Sequence, residues 1–195
     1  MTYVKVSIPK DGDGAGCAVP RKSKIILVDV EDVASEPTRE VGDVTVQGNL
    51  TLNENATAVG IYATASTVEI TEEFGGDPDA EGVKNGLAFE HPGNSVDIKN
   101  FLEVYKNKGV IALVTECDGT SAGRTQIIGR VCNPLRLTVE TTMNSEATKR
   151  KLTWKQAQND KFLAGEYSGD LPTLADEPSA AANTSGSQTP ATGGA

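Results

Sequence analysis

Apolar and polar residues alternate along most of the chain in short runs, a pattern typical of β-strands. The clearest runs are Lys24–Val30, Val41–Gln47, Val110–Glu116, Gln126–Val131, Leu135–Thr141 and Lys151–Gln156. Asn49–Ile61 reads as a strand, an Asn-rich turn and a second strand, and the alternation returns at Thr67–Ile70 with its flanks. The pattern therefore predicts roughly eight to ten short strands, of which Lys24–Val30 is apolar enough to be buried on both faces at its centre.

One segment has a helical period instead. Its apolar residues recur at i, i+3, i+4 and i+7 and form a single stripe: Ile98, Phe101, Leu102 and Tyr105. Asn94 or Ser95 can cap the start, and Lys108 with Gly109 suits the end. We predict a helix over about residues 95–107 that packs on a sheet. The fold class is then mainly β, an antiparallel β-sandwich or barrel with one flanking α-helix.

The end of the chain differs in composition from the rest. No aromatic or large aliphatic side chain follows Leu174. Such a segment has too little apolar surface to offset the entropy lost on ordering. We expect one β-sandwich domain over residues 1–174 and a low-complexity, disordered tail over residues 175–195.

The charge balance limits the possible partners. With 18 basic and 27 acidic residues, the chain carries a formal charge of −9 and has a pI near 4.7, which disfavours a stable complex with nucleic acid phosphates. Met1–Pro9 alternates like a strand and lacks the apolar core of a signal peptide, and no apolar run approaches the roughly 18 residues of a membrane span. Three widely spaced cysteines, Cys17, Cys117 and Cys132, are expected to be reduced thiols.

The search for chemistry predicts no catalytic residue, no cofactor and no metal. Asp11–Gly16 resembles the start of a calcium loop, but Lys22 stands where the loop needs its closing carboxylate. His91 is the only histidine, with no nearby cysteine for a zinc site and no nucleophile elbow for a triad. A paired-acid site stays open in principle, since carboxylates are numerous. We expect no enzymatic activity.

Two charged segments are candidate contact surfaces. Glu72–Gly86 reads as a long acidic loop with four glycines, and loops of that length are usually functional or disordered. The basic cluster Lys149, Arg150 and Lys151 is expected either to keep an edge strand from aggregating or to pair with an acidic patch on a neighbour.

The order of elements in the second half of the chain carries a resemblance. A helix ends in VYKNKG, a strand runs into ECDG, a return strand reads IIGRVCNPLRL, a strand with Lys and Thr follows, and the domain closes with EYSGDLP. Over about residues 95–172 this order resembles major tail, or tail tube, proteins of long-tailed bacteriophages.

The resemblance implies a structural virion protein. In that family six subunits form a ring whose sheets join into one inner barrel, and stacked rings make the tube through which DNA passes without specific binding. Partners would be copies of the chain and other virion tail proteins, and the chain would fold in the host cytoplasm and reside in the virion tail. By position and length, the inter-ring contact loop corresponds to Glu72, Glu73, Phe74, Asp77, Asp79 and Glu81. Lys149, Arg150 and Lys151 are the candidates for a charge contact between subunits.

Other functions fit the same composition. Capsid decoration and head–tail connection belong to the same structural class. A monomeric β-sandwich that binds a glycan or a protein belongs to a different class and would need an exposed aromatic platform, for which Trp154 is the candidate. The remaining hypothesis is an enzyme whose active site is built from carboxylates that are far apart in the sequence.

Overall fold

The structure is a computed structural model that describes residues 5, 7–10, 12–13, 16–40, 42–117, 123–145 and 147–176. Several predictions fall on other residues. The hairpin turn around Thr120–Ala122, the tail beyond residue 176, and parts of Met1–Pro9 and Asp11–Gly16 lie outside the described part.

The described residues form one α-helix, α1, at Val96–Tyr105 and twelve strands. The strands are β1 Lys24–Asp29, β2 Val33–Ser35, β3 Thr45–Val46, β4 Thr51–Leu52, β5 Val59–Tyr62, β6 Glu69–Gly75, β7 Gly82–Pro92, β8 Gly109–Glu116, β9 Arg124–Ile128, β10 Leu135–Met143, β11 Thr148–Gln156 and β12 Gly165–Tyr167. Single 3₁₀ turns occur at Val30–Asp32 and Ala65–Thr67. The predicted fold class, mainly β with one flanking helix, is confirmed.

Ten of these strands form one mixed sheet that branches at β8. The main path runs β3-β12-β9-β8-β10-β11-β7-β6, and β1 joins β8 to β5. One edge of β8 is shared, because Ala112–Glu116 pairs with β9 whereas Gly109 and Val110 pair with β10. Among the strands of the described residues, β12 and β3 alone pair in parallel. In the described residues β3 and β6 end the path without pairing with each other, so the sheet does not close into a barrel.

Both faces of β8 are buried, which divides the core in two. Val110, Ala112 and Val114 face a large core with Trp154 and Phe89, which are 0% and 1% exposed. The alternate residues of β8 face a smaller core that is covered by the segments around β3, β4 and β12. This strand explains the uninterrupted apolar run in the sequence, since a strand covered on both sides needs no polar face.

The helix forms as the periodicity predicts. Ser95 accepts a hydrogen bond from the backbone N–H of Ile98 at 3.3 Å and so caps the first turn. Ile98 and Tyr105 are buried in the larger core, and the rest of the stripe packs against it. Tyr105 also meets Trp154 edge-on, with ring centroids 6.4 Å apart. The helix therefore covers the larger core at its open side.

One predicted loop is wrong. Glu72–Gly86, taken as a long loop, is the centre of a hairpin in which β6 and β7 pair from Glu69–Ala88 to Gly75–Gly82. Only residues 76–81 turn. Three of its four glycines and two of its acids, Glu72 and Glu73, lie in the paired strands, whereas Gly76, Asp77, Asp79 and Glu81 lie in the turn. Of the described residues of Val41–Gln47, predicted as one strand, only Thr45–Val46 form a strand.

Candidate functional site: an acidic hairpin at the sheet edge

The hairpin of residues 69–92, here called the acidic hairpin, contains every residue of the predicted inter-ring contact loop. Between residues 69 and 81 it carries six acids and no lysine or arginine: Glu69, Glu72, Glu73, Asp77, Asp79 and Glu81. All six are exposed. The structure thus brings the predicted contact residues together, although on a strand and a short turn rather than on a long loop.

The first strand of the acidic hairpin lies at the edge of the sheet. In the described residues β6 pairs with β7 and with no other strand. Phe74, near its end, is 76% exposed. An edge strand of seven residues offers unpaired backbone groups to another chain, and an exposed phenyl ring beside it adds apolar surface.

The hairpin is held firmly against the rest of the fold. Val83 and Asp160 exchange two backbone hydrogen bonds of 2.7 Å each. Asn159 Nδ2 donates to the carbonyl of Gly75 at 2.8 Å, and the backbone N–H of Ala164 donates to Glu72 Oε1 at 2.9 Å. These contacts fix the position of the edge, so a partner would meet a preformed strand.

The turn of the hairpin depends on unusual backbone angles. Asp79 has a φ of 70° and Gly76 a φ of 139°. At Gly76 a Cβ would collide with the backbone of Ala80 and Glu81, so only glycine fits there. Ala80 N–H closes the turn on the carbonyl of Asp77 at 2.9 Å.

One acid of the hairpin is tuned by a neighbouring strand. Lys155 Nζ donates to Glu73 Oε1 at 2.7 Å. This hydrogen bond, together with the lysine charge, holds the pKa of Glu73 below its usual value. Glu73 therefore remains charged to a lower pH than a free glutamate.

The predicted basic cluster occupies a central strand, not an edge. β11 pairs with β10 over nine positions and with β7 over seven. Lys149 Nζ pairs with Glu90 of the same chain at 2.9 Å. Arg150 is 8% exposed and donates to Thr141 Oγ1 and to Asn94 Oδ1. The edge-protecting role is therefore wrong, because both edges of β11 are already paired. Of the three residues, Lys149 is partly buried, Arg150 is buried and Lys151 is exposed.

His91 lies at the end of β7, where its Nδ1 is 2.8 Å from the carbonyl oxygen of Tyr62. Trp154, the candidate aromatic platform, is 0% exposed in the core and presents no ring to a ligand. The described residues contain no group of three or more His, Cys, Asp or Glu side chains placed to hold a metal ion.

An ion network near β8 was not visible in the sequence. Glu116 is 4% exposed. Its Oε2 accepts a hydrogen bond from Arg124 Nη2 at 2.9 Å, and its Oε1 lies 3.5 Å from Arg21 Nη2. Arg124 Nε also lies 3.3 Å from Glu166, whose pKa is raised by burial. These residues are distant in sequence, and no local pattern marks them; their role is to compensate a buried carboxylate.

Comparisons of the chain with protein-family models, with curated proteins and with solved structures find no match. Within the residues described, no helix combines the length and apolarity required to cross a membrane.

Proposed function

We propose that the chain is a structural virion protein, a phage tail tube subunit that assembles with copies of itself into stacked hexameric rings. In this proposal the rings form the conduit for DNA delivery, contact other tail proteins, and reside in the virion tail after folding in the host cytoplasm. The observation that carries the proposal is the β6 edge. This seven-residue strand is paired on one side in the described residues, is held in place by hydrogen bonds to residues 159–164, and carries the exposed Phe74.

The charge of the edge favours rings over simple dimers. If β6 paired with β6 of a second copy, three acids from each chain, Glu69, Glu72 and Glu73, would be brought together with no base on either strand. Like charges facing each other across paired strands are destabilising. A heterologous contact, in which the edge meets a different surface of the next copy, avoids this repulsion, and such contacts generate rings or filaments.

The distribution of charge bears on the conduit. On the outward face of β7, β10 and β11, together with the outward residues of β6, the strand register places five bases: Lys84, Arg136, Lys149, Lys151 and Lys155. The same face holds four acids: Glu69, Glu73, Glu90 and Glu140. The positive and negative charges of this face nearly cancel, whereas the charged residues in the turn of the acidic hairpin are all acids. A lumen that repels phosphate would therefore have to draw on the hairpin or other acidic loops.

The contact can be tested by sedimentation velocity of the purified full chain carrying Phe74→Ser. Burying one phenyl ring contributes about 1.5–3 kcal/mol, so its loss should weaken each contact roughly tenfold to a hundredfold. Val104→Ser is the matched control, because Val104 is 56% exposed on α1, away from β6.

The expected result is assembly in the wild type and in Val104→Ser, with a shift towards monomer in Phe74→Ser. Equal assembly of all three proteins would remove the β6 edge from the proposal. Assembled shells or short collars in place of tubes would favour capsid decoration or head–tail connection instead.

A further inference from the structure

A small cavity lies between the two parts of the sheet, at the end closed by the segment that leads into β12. Its volume is about 70 Å³. Val46, Ile127 and Leu163 supply apolar wall, and Phe162 lies beside them. The polar side chains that line it are Glu36, Arg39, Asn85, Arg130, Gln156 and Asp160. A cavity of this size is far smaller than the roughly 300–1,000 Å³ of a metabolite pocket, so it suits only a small chemical group.

Two buried amides on the cavity wall have fixed orientations. Gln156 Nε2 donates to the carbonyl of Asn133 at 2.9 Å, and its Oε1 accepts from the backbone N–H and from Nδ2 of Asn85, both at 3.0 Å. Asn85 Nδ2 donates a second time, to the carbonyl of Phe162 at 2.9 Å. Since both partners of Nδ2 are acceptors, the amide of Asn85 cannot be reversed.

This orientation leaves one atom unsatisfied. Asn85 is 3% exposed, and its Oδ1 has no hydrogen-bond partner among the described residues. A buried carbonyl oxygen without a donor is costly, by about 1–3 kcal/mol. An occupant of the cavity that donates a hydrogen bond to Asn85 Oδ1 would remove this cost.

The two arginines that line the cavity supply N–H donors. The guanidinium groups of Arg39 and Arg130 each lie 5.0 Å from the ring centroid of Phe162. Arg39 already donates to the carbonyls of Asp43 and Leu163, at 2.7 and 2.6 Å. Arg130 has a looser polar contact, 3.6 Å from its Nη1 to Asp160 Oδ1, and a guanidinium carries five N–H donors. Arg130 is thus the residue placed to donate to a ligand.

We infer that this cavity binds a primary carboxamide, whose NH₂ donates to Asn85 Oδ1 and whose carbonyl accepts from Arg130. A carboxylate offers no donor to Asn85, and an ammonium offers no acceptor to Arg130. The two acids that line the cavity, Glu36 and Asp160, equal its two arginines in number, so the occupant need not be charged. The small planar amide also fits between Phe162 and the aliphatic wall. This inference does not depend on the proposed assembly.

The test is an NMR titration of the isotopically labelled full chain with acetamide, followed at the backbone amides of residues that line the cavity. Saturable shifts with a Kd on the order of 10 mM are expected for so small a ligand. Acetate and N,N-dimethylacetamide, which lack an N–H donor, should give no saturable shift at these residues. Equal binding of acetamide, acetate and N,N-dimethylacetamide would overturn the inference. It would also be overturned if acetamide caused no shift and a crystal soaked in acetamide showed only water in the cavity.

A pair of variants separates binding from folding. Arg130→Met removes the donor to the carbonyl, and we expect acetamide to bind at least tenfold more weakly. Arg136→Met is the matched control, because Arg136 is exposed on β10 and does not line the cavity. Circular dichroism of both variants checks that the fold is retained. Equal acetamide affinity in the two folded variants would contradict the assignment of Arg130.

A second arm identifies the source of the amide. Blocked glutamine (N-acetyl-glutamine N-methylamide) is compared with acetamide, and blocked methionine, of similar length, is the control. Tighter binding of blocked glutamine than of acetamide would assign the cavity to an Asn or Gln side chain of another polypeptide. Binding of acetamide with exclusion of both blocked residues would assign it to a free small amide.

Discussion

Gly109 begins β8 at the point where that strand pairs with β10. A Cβ on Gly109 would lie 2.6 Å from Cγ and 2.8 Å from Cβ of Pro134. Pro134 is rigid and precedes β10, so it cannot move aside without disturbing the junction of the two parts of the sheet. The absence of a side chain at one residue thus permits the branch in the whole sheet.

We therefore predict that Gly109→Ala lowers the free energy of unfolding by about 1–3 kcal/mol, the cost typical of overpacking. Urea denaturation of the full chain measures it. Gly16→Ala is the control, because a Cβ there meets nothing within 4 Å. If Gly109→Ala lowers the free energy of unfolding no more than Gly16→Ala does, then Pro134 can move to accommodate the added Cβ at little cost.

Glu73 and Lys155 give a second prediction at the scale of single residues. The folded chain lowers the pKa of Glu73, mainly through the hydrogen bond from Lys155. A lowered pKa favours the carboxylate in the folded state, so this contribution to stability is present above the pKa of the unfolded chain and is lost as pH falls through the folded pKa. In Lys155→Met the pKa of Glu73, followed by NMR of its carboxyl carbon, should rise towards the ordinary value. An unchanged titration midpoint would show that the pair does not persist in solution.

Among the elements, the helix was the most predictable from sequence. Its apolar stripe and its cap are both local, since Ser95 and Ile98 are three residues apart. The strands β1 and β8 could be predicted equally well, because strands that are buried on both faces have continuous apolar runs in the sequence.

The cap provides the element-scale prediction. Ser95→Ala removes the acceptor for the Ile98 N–H and should cost about 1 kcal/mol in unfolding free energy, measured by thermal or urea denaturation. Ser95→Asp retains an acceptor at the same position and should restore most of the loss. If Asp behaves like Ala, the first turn is not stabilised by the cap.

The acidic hairpin shows why other elements could not be predicted. Asn85 is polar yet points inward, where its Nδ2 donates to Oε1 of Gln156, 71 residues away in sequence. That residue breaks the alternation of β7, and the glycines nearby favour a loop reading. The same limit applies to β11, which looks like an edge strand until β7 pairs with it. The local sequence pattern predicts whether a segment is a strand or a helix, but it does not predict which strands pair, because pairing depends on residues far apart in the sequence.

At the scale of the whole molecule, the surplus of acids is concentrated at one edge. The chain carries −9 overall, yet the outward face of β7, β10 and β11 holds five bases and two acids, whereas six acids lie between residues 69 and 81. Under the proposed assembly, an edge of this kind would disfavour contact with the same edge of another copy and favour contact with a less acidic surface. The cavity beside Phe162 and the ion network at Glu116 could not be foreseen either, since both join residues from distant strands.

If the sheet face that contains Lys151 meets the acidic hairpin of a neighbour, removing that charge should weaken assembly. Lys151→Gln is expected to reduce the sedimenting fraction at low ionic strength, and added salt should narrow the difference from wild type because surface charges are screened. Lys99→Gln, an exposed lysine on α1, is the control. Identical assembly of the two variants would place the partner surface elsewhere.

Electron microscopy of the purified full chain at high concentration, supported by light scattering, tests the central claim most directly. The proposal predicts rings or stacked tubes in which β6 lies at the contact between neighbouring copies. A strict monomer at every concentration, or an assembly in which β6 and Phe74 face solvent, would contradict it.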